Sequence, residues 1–249
     1  MNKYFFILQN ISTRYALIAG LAFVIFYLLL KNKTGFRKIQ NKFPKNSDIR
    51  REILYSASAM LIFAIVPAIV IFDPHVRPHT LIYTDPQQYG TFYLFFSFVL
   101  MYFVHDAYFY WTHRLMHQPN LFKYFHLVHH QSTNPSPWAA YSFHPLESFV
   151  EVGIYLIFAF CFPVYIFNFG LFFLFQIVYN VYGHLGYELY PRNFNRHWFG
   201  RWINTSVAHN QHHQYFTGNY GLYTLIWDRL MHTLREDYDT RFDEVKIQS

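Results

Sequence analysis

The sequence predicts an all-α integral membrane protein, a helical bundle of about four spans or span-hairpins with a histidine-rich helical cap on its cytoplasmic side. Three observations carry this. Several long stretches are dominated by apolar residues, only 14% of the 249 residues are charged, and most of the 15 histidines fall in short clusters beside those stretches. A soluble domain carries about 25% charged residues. The mean hydropathy of +0.06 conceals the apolar character. It counts Tyr and His as polar, and both sit comfortably at a membrane interface.

The first apolar run, Tyr15 to Leu30, is bounded by Arg14 and Lys31. It is slightly short for a span, and flanking cations can snorkel. Lys31-Asn32-Lys33 follows in place of a small-residue cleavage site, so an uncleaved anchor is expected. The second run is Ile53 to Phe72, with a kink expected at Pro67. The third, Thr91 to Thr112, is apolar as far as Val104 and then turns to chemistry at His105-Asp106. Val152 to Phe167 and Gly170 to Tyr182 predict a hairpin of two short helices turning near Phe167–Gly170. The single cysteine, Cys161, lies in that region and has no internal disulfide partner. Any metal site is therefore built from nitrogen and oxygen donors.

Orientation follows from the basic residues. Lys31, Lys33, Arg37, Lys38, Lys42, Lys45, Arg50 and Arg51 crowd the loop between the first two runs, which the positive-inside rule places in the cytoplasm. The net charge of +6 is concentrated there, which fits membrane-surface anchoring rather than a nucleic-acid partner. Counting spans puts every histidine cluster on that same side. The expected organisation is an N-terminal span with its basic loop (1–51), a membrane-embedded domain holding the histidines (52–235) and a charged surface tail (236–249).

Three clusters carry the chemistry: His113-Arg-Leu-Met-His117, His126-Leu-Val-His129-His130 and His209-Asn-Gln-His212-His213. Spacings of three and four place imidazoles on one helical face, one turn apart, where two can converge on a metal. Apolar packing does not explain such a concentration, because every imidazole has polar nitrogens to satisfy. Eight ligands exceed what one ion accepts, so two metals are implied. Imidazole suits Zn, Cu, Fe and Ni alike. There is no HExxH protease motif and no GxSxG nucleophile motif. The residues leave three readings open: a lipid-oxidising enzyme, a zinc-dependent membrane lipid hydrolase, and a non-catalytic metal-binding or transport protein.

The clusters resemble the three histidine boxes of the fatty-acid hydroxylase/sterol desaturase superfamily, nearest the sterol C-5 desaturase-like branch. The likeness extends to Asp106–Arg114, Ser142-Phe-His144-Pro-Leu-Glu147, His184-Leu-Gly-Tyr-Glu188, Asn219-Tyr-Gly221, Trp227-Asp228-Arg229 and Arg50–Ile53. It implies a di-iron oxygenase domain that hydroxylates or desaturates a membrane lipid, a sterol or a fatty acyl chain, with O2 as co-substrate. The ligands it implies are His113, His117, His126, His129, His130, His209, His212 and His213, with His184 as a ninth. Glu188 stands where hydroxylases have a further histidine, so Glu188 or a water would complete the shell. His232 replaces a glycine and is expected at the surface, and His105 is expected to support rather than ligate. The chain has no haem motif, dinucleotide fingerprint or cysteine set for iron–sulfur, so an external electron donor is implied, a b-type cytochrome or a ferredoxin with its reductase.

Ligating histidines need their second nitrogen anchored. Asp106, about two turns before His113 on the same face, is expected to orient a first-box histidine, with Glu147 and Asp228 as further candidates. His144 is expected to line the substrate entrance, complete the metal shell or cap the next helix.

Overall fold

The computed structural model describes residues 2–31 and 38–247. Lys33 and Arg37 of the basic loop lie outside the described residues. Helix α1 (Lys3–Phe23) starts on the Asn2 side chain, which accepts from the Tyr4 N–H, and runs on as a π-helical stretch, Val24–Leu29. The span therefore begins well before Tyr15. Helices α2 (Asn46–Phe63) and α3 (Ile65–Phe72) form one rod interrupted at Ala64. Pro67 explains the break, because it lacks the N–H that would bond the carbonyl of Phe63.

Helix α4 (Gly90–Met116) buries Ser97, Met101, His105, Phe109 and His113. The spacing of four keeps these on one face, so an apolar stripe leads directly into the first histidine box. Gln118-Pro119 ends that rod, and Pro119 opens α5 (Pro119–Phe125), which α6 (Leu127–His130) follows after a break at His126. Helices α7 (Pro145–Val152) and α8 (Ile154–Phe160) precede α9 (Ile166–Gly183). The predicted hairpin is present, but its turn lies at residues 161–165 rather than near Phe167–Gly170. Pro163 stops the first arm, and the short strands β1 (Ile82–Tyr83) and β2 (Val164–Tyr165) pair in parallel across the turn. Asn168 is helical, its amide donating to the Leu94 carbonyl and the Ser97 hydroxyl.

Among the described residues, four helical rods are long and apolar enough to cross a membrane: Lys3–Leu29, Asn46–Phe72, Gly90–Met116 and Ile166–Gly183. Their outward faces expose large apolar side chains such as Phe92, Phe95, Leu171 and Leu29, as a bilayer allows. Between them lies a core rich in aromatic rings around Met101, Phe158, Phe172 and Tyr223.

Helices α4 and α9 finish at the same end of the bundle, where α10 (Ser206–Tyr215), α11 (Ile226–Leu230) and α12 (Tyr238–Ile247) form a cap. The basic segment meets this end too: Arg51 donates to the Gln131 carbonyl, and Gln40 donates to Asn210 on α10. The predicted surface tail is instead a packed helix. Tyr238, Phe242 and Val245 are buried against Ile39, Val207, Ala208 and Leu225. Its charges face outward while three apolar positions at helical spacing face inward.

Candidate metal centre

Residues far apart in sequence meet at the capped end. Nine histidines form two groups: His113, His117, His126, His130 and His212 in one, and His129, His184, His209 and His213 in the other. Within each group the ligand nitrogens all lie within 4.8 Å of one another. All nine expected metal residues are present, and neither group contains Glu188, His144 or His105. Eight of the nine expose 4% or less of their surface, and His117 is half-buried. The boxes interleave: His126 and His130 turn to the first group and His129 to the second, while His212 separates from His209 and His213. Residues four apart on a helix share a face and adjacent ones do not.

The inward nitrogens are Nε2. In the first group His113 stands 2.9 Å from His126, and His130 stands 3.1 Å from His117 and 3.0 Å from His212. In the second, His184 stands 3.0 Å from His209, 3.1 Å from His213 and 3.3 Å from His129, and His209 stands 3.2 Å from His213. Neighbouring nitrogens around one ion, each about 2.0–2.1 Å from it, lie roughly 2.9–3.4 Å apart in octahedral or tetrahedral geometry. Hydrogen bonding alone does not account for the packing. His184, His209 and His213 are mutual neighbours, and each neutral ring nitrogen either donates or accepts but not both. At least one of the three contacts therefore pairs like with like. A cation between the lone pairs removes the conflict, so the residues fit a metal in each group.

Other features agree. Burial lowers the pKa of His126, His129, His130, His209, His212 and His213 well below the usual value, lowers that of His184 to about 4 and that of His117 to about 2, with repulsion from neighbouring rings adding to the effect in all but His184. The rings are thus held neutral, the form that binds metal. Several outward nitrogens are anchored. His113 Nδ1 meets the Tyr220 carbonyl at 2.9 Å, His212 Nδ1 the Gly218 carbonyl at 2.8 Å, and His184 Nδ1 the Asn180 carbonyl at 2.8 Å. His129 Nδ1 meets the Ser142 carbonyl at 3.3 Å. A ring that donates from Nδ1 keeps its Nε2 lone pair turned inward.

Among the three carboxylates considered as histidine partners, Glu147 fills that role. Its Oε1 lies 2.6 Å from His126 Nδ1 and the pair is buried, while Oε2 has no hydrogen-bond partner among the described residues. Burial pushes the Glu147 carboxyl well above its ordinary range. Positive charge at the first group would offset the cost of ionising it there.

Asp106 does not orient a histidine. Its Oδ1 accepts from the Tyr223 and Thr224 N–H groups and its Oδ2 from the Thr224 hydroxyl. Asp228 accepts from the Tyr220 and Gly221 N–H groups and the Thr233 hydroxyl. Together they pin the segment whose Tyr220 carbonyl meets His113. Two glycines make its course possible. A Cβ on Gly221 would stand 2.2 Å from the Thr224 carbonyl oxygen, and Gly218 has φ +76°.

Glu188, expected near the metal shell, accepts from the Tyr182 hydroxyl and the Tyr190 N–H through Oε1 and from the Val207 N–H through Oε2. It thereby steadies the first turn of α10. His144 caps α7, its Nδ1 accepting from the Leu146 N–H at 3.2 Å, which is the capping role among those considered for it. His105 Nδ1 meets the Tyr223 hydroxyl at 2.9 Å, and His232 is exposed. The sequence reading did not single out the anchoring carbonyls of Tyr220, Gly218, Asn180 and Ser142, because every residue has a carbonyl and side-chain identity does not mark which one faces an imidazole.

A helical bundle with membrane-length apolar rods that gathers nine imidazoles into two groups, each able to hold a metal ion, defines a membrane protein with a candidate metal centre. The family model for fatty acid hydroxylase matches residues 98–233, which take in all three boxes, and the chain belongs to that family. Its curated relatives fall in the sterol C-5 desaturase branch. A Delta(7)-sterol 5(6)-desaturase of Gibberella zeae is 32% identical, the match covering 85% of this chain and 65% of the relative. Lathosterol oxidase of Rattus norvegicus is 32% identical over 76% of this chain and 62% of its own length, and that of Homo sapiens is 30% identical over the same shares. The chain thus spans less than two thirds of the length of these relatives. No solved structure matches it.

Proposed function

We propose that this chain is an O2-dependent membrane lipid oxidase that holds two iron ions and desaturates or hydroxylates a sterol-like lipid. The observation that carries the reading is the convergence of nine imidazoles, eight of them buried, into two groups. The names of the relatives favour a sterol over a fatty acyl chain, and desaturation over hydroxylation. Two iron ions bound there would supply the oxidising power, drawn from O2, to take hydrogen from an unactivated C–H bond.

The protein contributes geometry and dryness. His113, His117, His126, His130 and His212 would hold one ion, and His129, His184, His209 and His213 the other. Glu147 fixes the His126 ring, and the Tyr220, Gly218, Asn180 and Ser142 carbonyls fix four more. Phe109 packs on His113 with ring centroids 4.9 Å apart, and Phe143 on His129 at 5.0 Å, which excludes water from the bundle side. Electrons come from a separate donor, a b-type cytochrome or a ferredoxin with its reductase. The basic segment packs at the histidine end, so the positive-inside rule supports a centre on the cytoplasmic face.

The test combines metal analysis of the purified full chain with lipid profiling of cells that express it. Two irons per chain and an oxidised lipid product that disappears without O2 and in His129→Ala support the proposal. Two zincs per chain, with a lipid product that forms in the absence of O2, overturn it in favour of a hydrolase.

A further inference from the structure

An open-sided groove of about 860 Å³ lies where the cap meets the spans. Phe98, Tyr102 and Phe103 of α4 and Phe175 of α9 line it from the spans, and Trp202 and Leu230 from the cap. That volume suits a ligand rather than a few waters, and the walls are almost wholly apolar. None of the nine histidines lines the groove. Tyr223 stands behind it, wholly buried and stacked on Tyr102 with ring centroids 4.9 Å apart, and its hydroxyl meets His105 rather than a metal group. A molecule in the groove is therefore not presented to the histidine centre.

Two cations stand beside the groove. The guanidiniums of Arg201 and Arg229 lie over the Trp202 ring, 5.2 and 5.8 Å from its centroid. Arg229 is half-buried and held in place by its Nε, which donates to the Arg201 carbonyl at 2.9 Å. Among the described residues neither has a carboxylate within ion-pair reach. Asp239 and Asp228 act on Arg229 only from farther off. Asp239 accepts from Asn195, and Asp228 from the Tyr220 and Gly221 N–H groups. Burial, and then the Arg201 charge, lower the pKa of Arg229. Two like charges kept together without a counter-ion suit an anion, and guanidinium forks match phosphate oxygens. The neighbouring Trp198 and Phe199 are exposed, at 76% and 53%, as aromatic rings are at the level of lipid headgroups.

We propose that this junction binds one anionic phospholipid, its phosphate on Arg201 and Arg229 and an acyl chain in the groove along Phe98, Tyr102 and Phe175. The lipid would be a bound partner of the fold rather than a substrate, fastening the cap to the spans. The assignment does not depend on the oxidase reading, and its test needs no turnover.

Lipid exchange on the full chain in detergent, read by native mass spectrometry, tests it with phosphatidylglycerol and phosphatidylcholine of identical acyl chains. The wild type is expected to retain one phosphatidylglycerol with a preference of about tenfold. The double variant Arg201→Gln/Arg229→Gln should lower that preference below about twofold, while Lys42→Gln/Lys45→Gln, which removes two exposed cations of the basic segment, should keep it. Val99→Trp, which fills the groove, should reduce retention of both lipids. Glycerol 3-phosphate, a headgroup without chains, should leave the bound lipid in place. The proposal is overturned by a wild type without preference, by a preference that survives the arginine pair, or by full retention in Val99→Trp. Equal loss in the lysine pair would instead show diffuse attraction to a basic protein, and displacement by glycerol 3-phosphate a phosphate site in which the groove plays no part. Either result also overturns it. If thermal unfolding shows that the double arginine variant does not fold, the exposed Arg201→Gln alone decides, with an expected fall in preference of about threefold or more.

Discussion

The two histidine groups share their ligand type but differ in how they are held. The first is fastened from outside. Its His126 leans on the Glu147 carboxyl, and its His113 and His212 meet carbonyls of the 218–220 segment, which Asp106 and Asp228 help to pin. The second is fastened mainly from the bundle. His184 closes α9 and bonds back to the Asn180 carbonyl of that helix, and His129 meets the Ser142 carbonyl and the Phe143 ring. His213 Nδ1 has no hydrogen-bond partner among the described residues. One group thus depends on a folded loop and a buried carboxyl, the other on the rigidity of a spanning helix. Substitutions outside the ligands should therefore act on the two groups unequally.

Removing a ligand should have the largest effect. His212→Ala in the first group and His209→Ala in the second should each lower product formation by more than about 100-fold, beyond the cost of losing a partner outside the metal shell. Each should also lower metal content, measured by mass spectrometry, from two ions per chain towards one. Loss of both ions from either variant would break the comparison and make the groups a single cooperative unit.

Glu147→Gln sharpens it. Metal affinity of the first group should fall about 10–100-fold while the second is unchanged, so that chelator competition becomes two-phased. A single phase, weakened throughout, would contradict the separation.

Asp228→Ala should act through the loop. It leaves the Tyr220 and Gly221 N–H groups without their acceptor, costing about 2–4 kcal/mol of stability. Thermal unfolding should register that cost, with metal lost first from the group containing His113. The smallest change is expected from His144→Ala, which removes a helix cap worth about 1 kcal/mol. Metal content and turnover should stay within twofold of wild type, and a large loss of turnover would return His144 to the reacting site.

Much of this was legible in the chain because it depends on local spacing. The runs of apolar residues mark the spans, Pro67 marks the break in the second, and the histidine boxes supply eight of the nine residues of the two groups, with His184 the ninth. Reading failed where a side chain had more than one possible partner. Asp106 lies on the same helix face as His113, yet Glu147, remote in sequence, reaches a histidine while Asp106 takes backbone N–H groups. The charged C-terminal segment read as solvent-exposed because Tyr238, Phe242 and Val245 become a buried face only once α10 is there to receive them.

By itself the sequence determined the helices, the end of the bundle that carries the chemistry and the kind of donor atom available, because these follow from periods of three and four along a single chain. Tertiary structure alone decided how the imidazoles divide into five and four and which carboxyl supports them. Each of those depends on atoms brought within about 3 Å from distant segments, and no local repeat encodes such a distance.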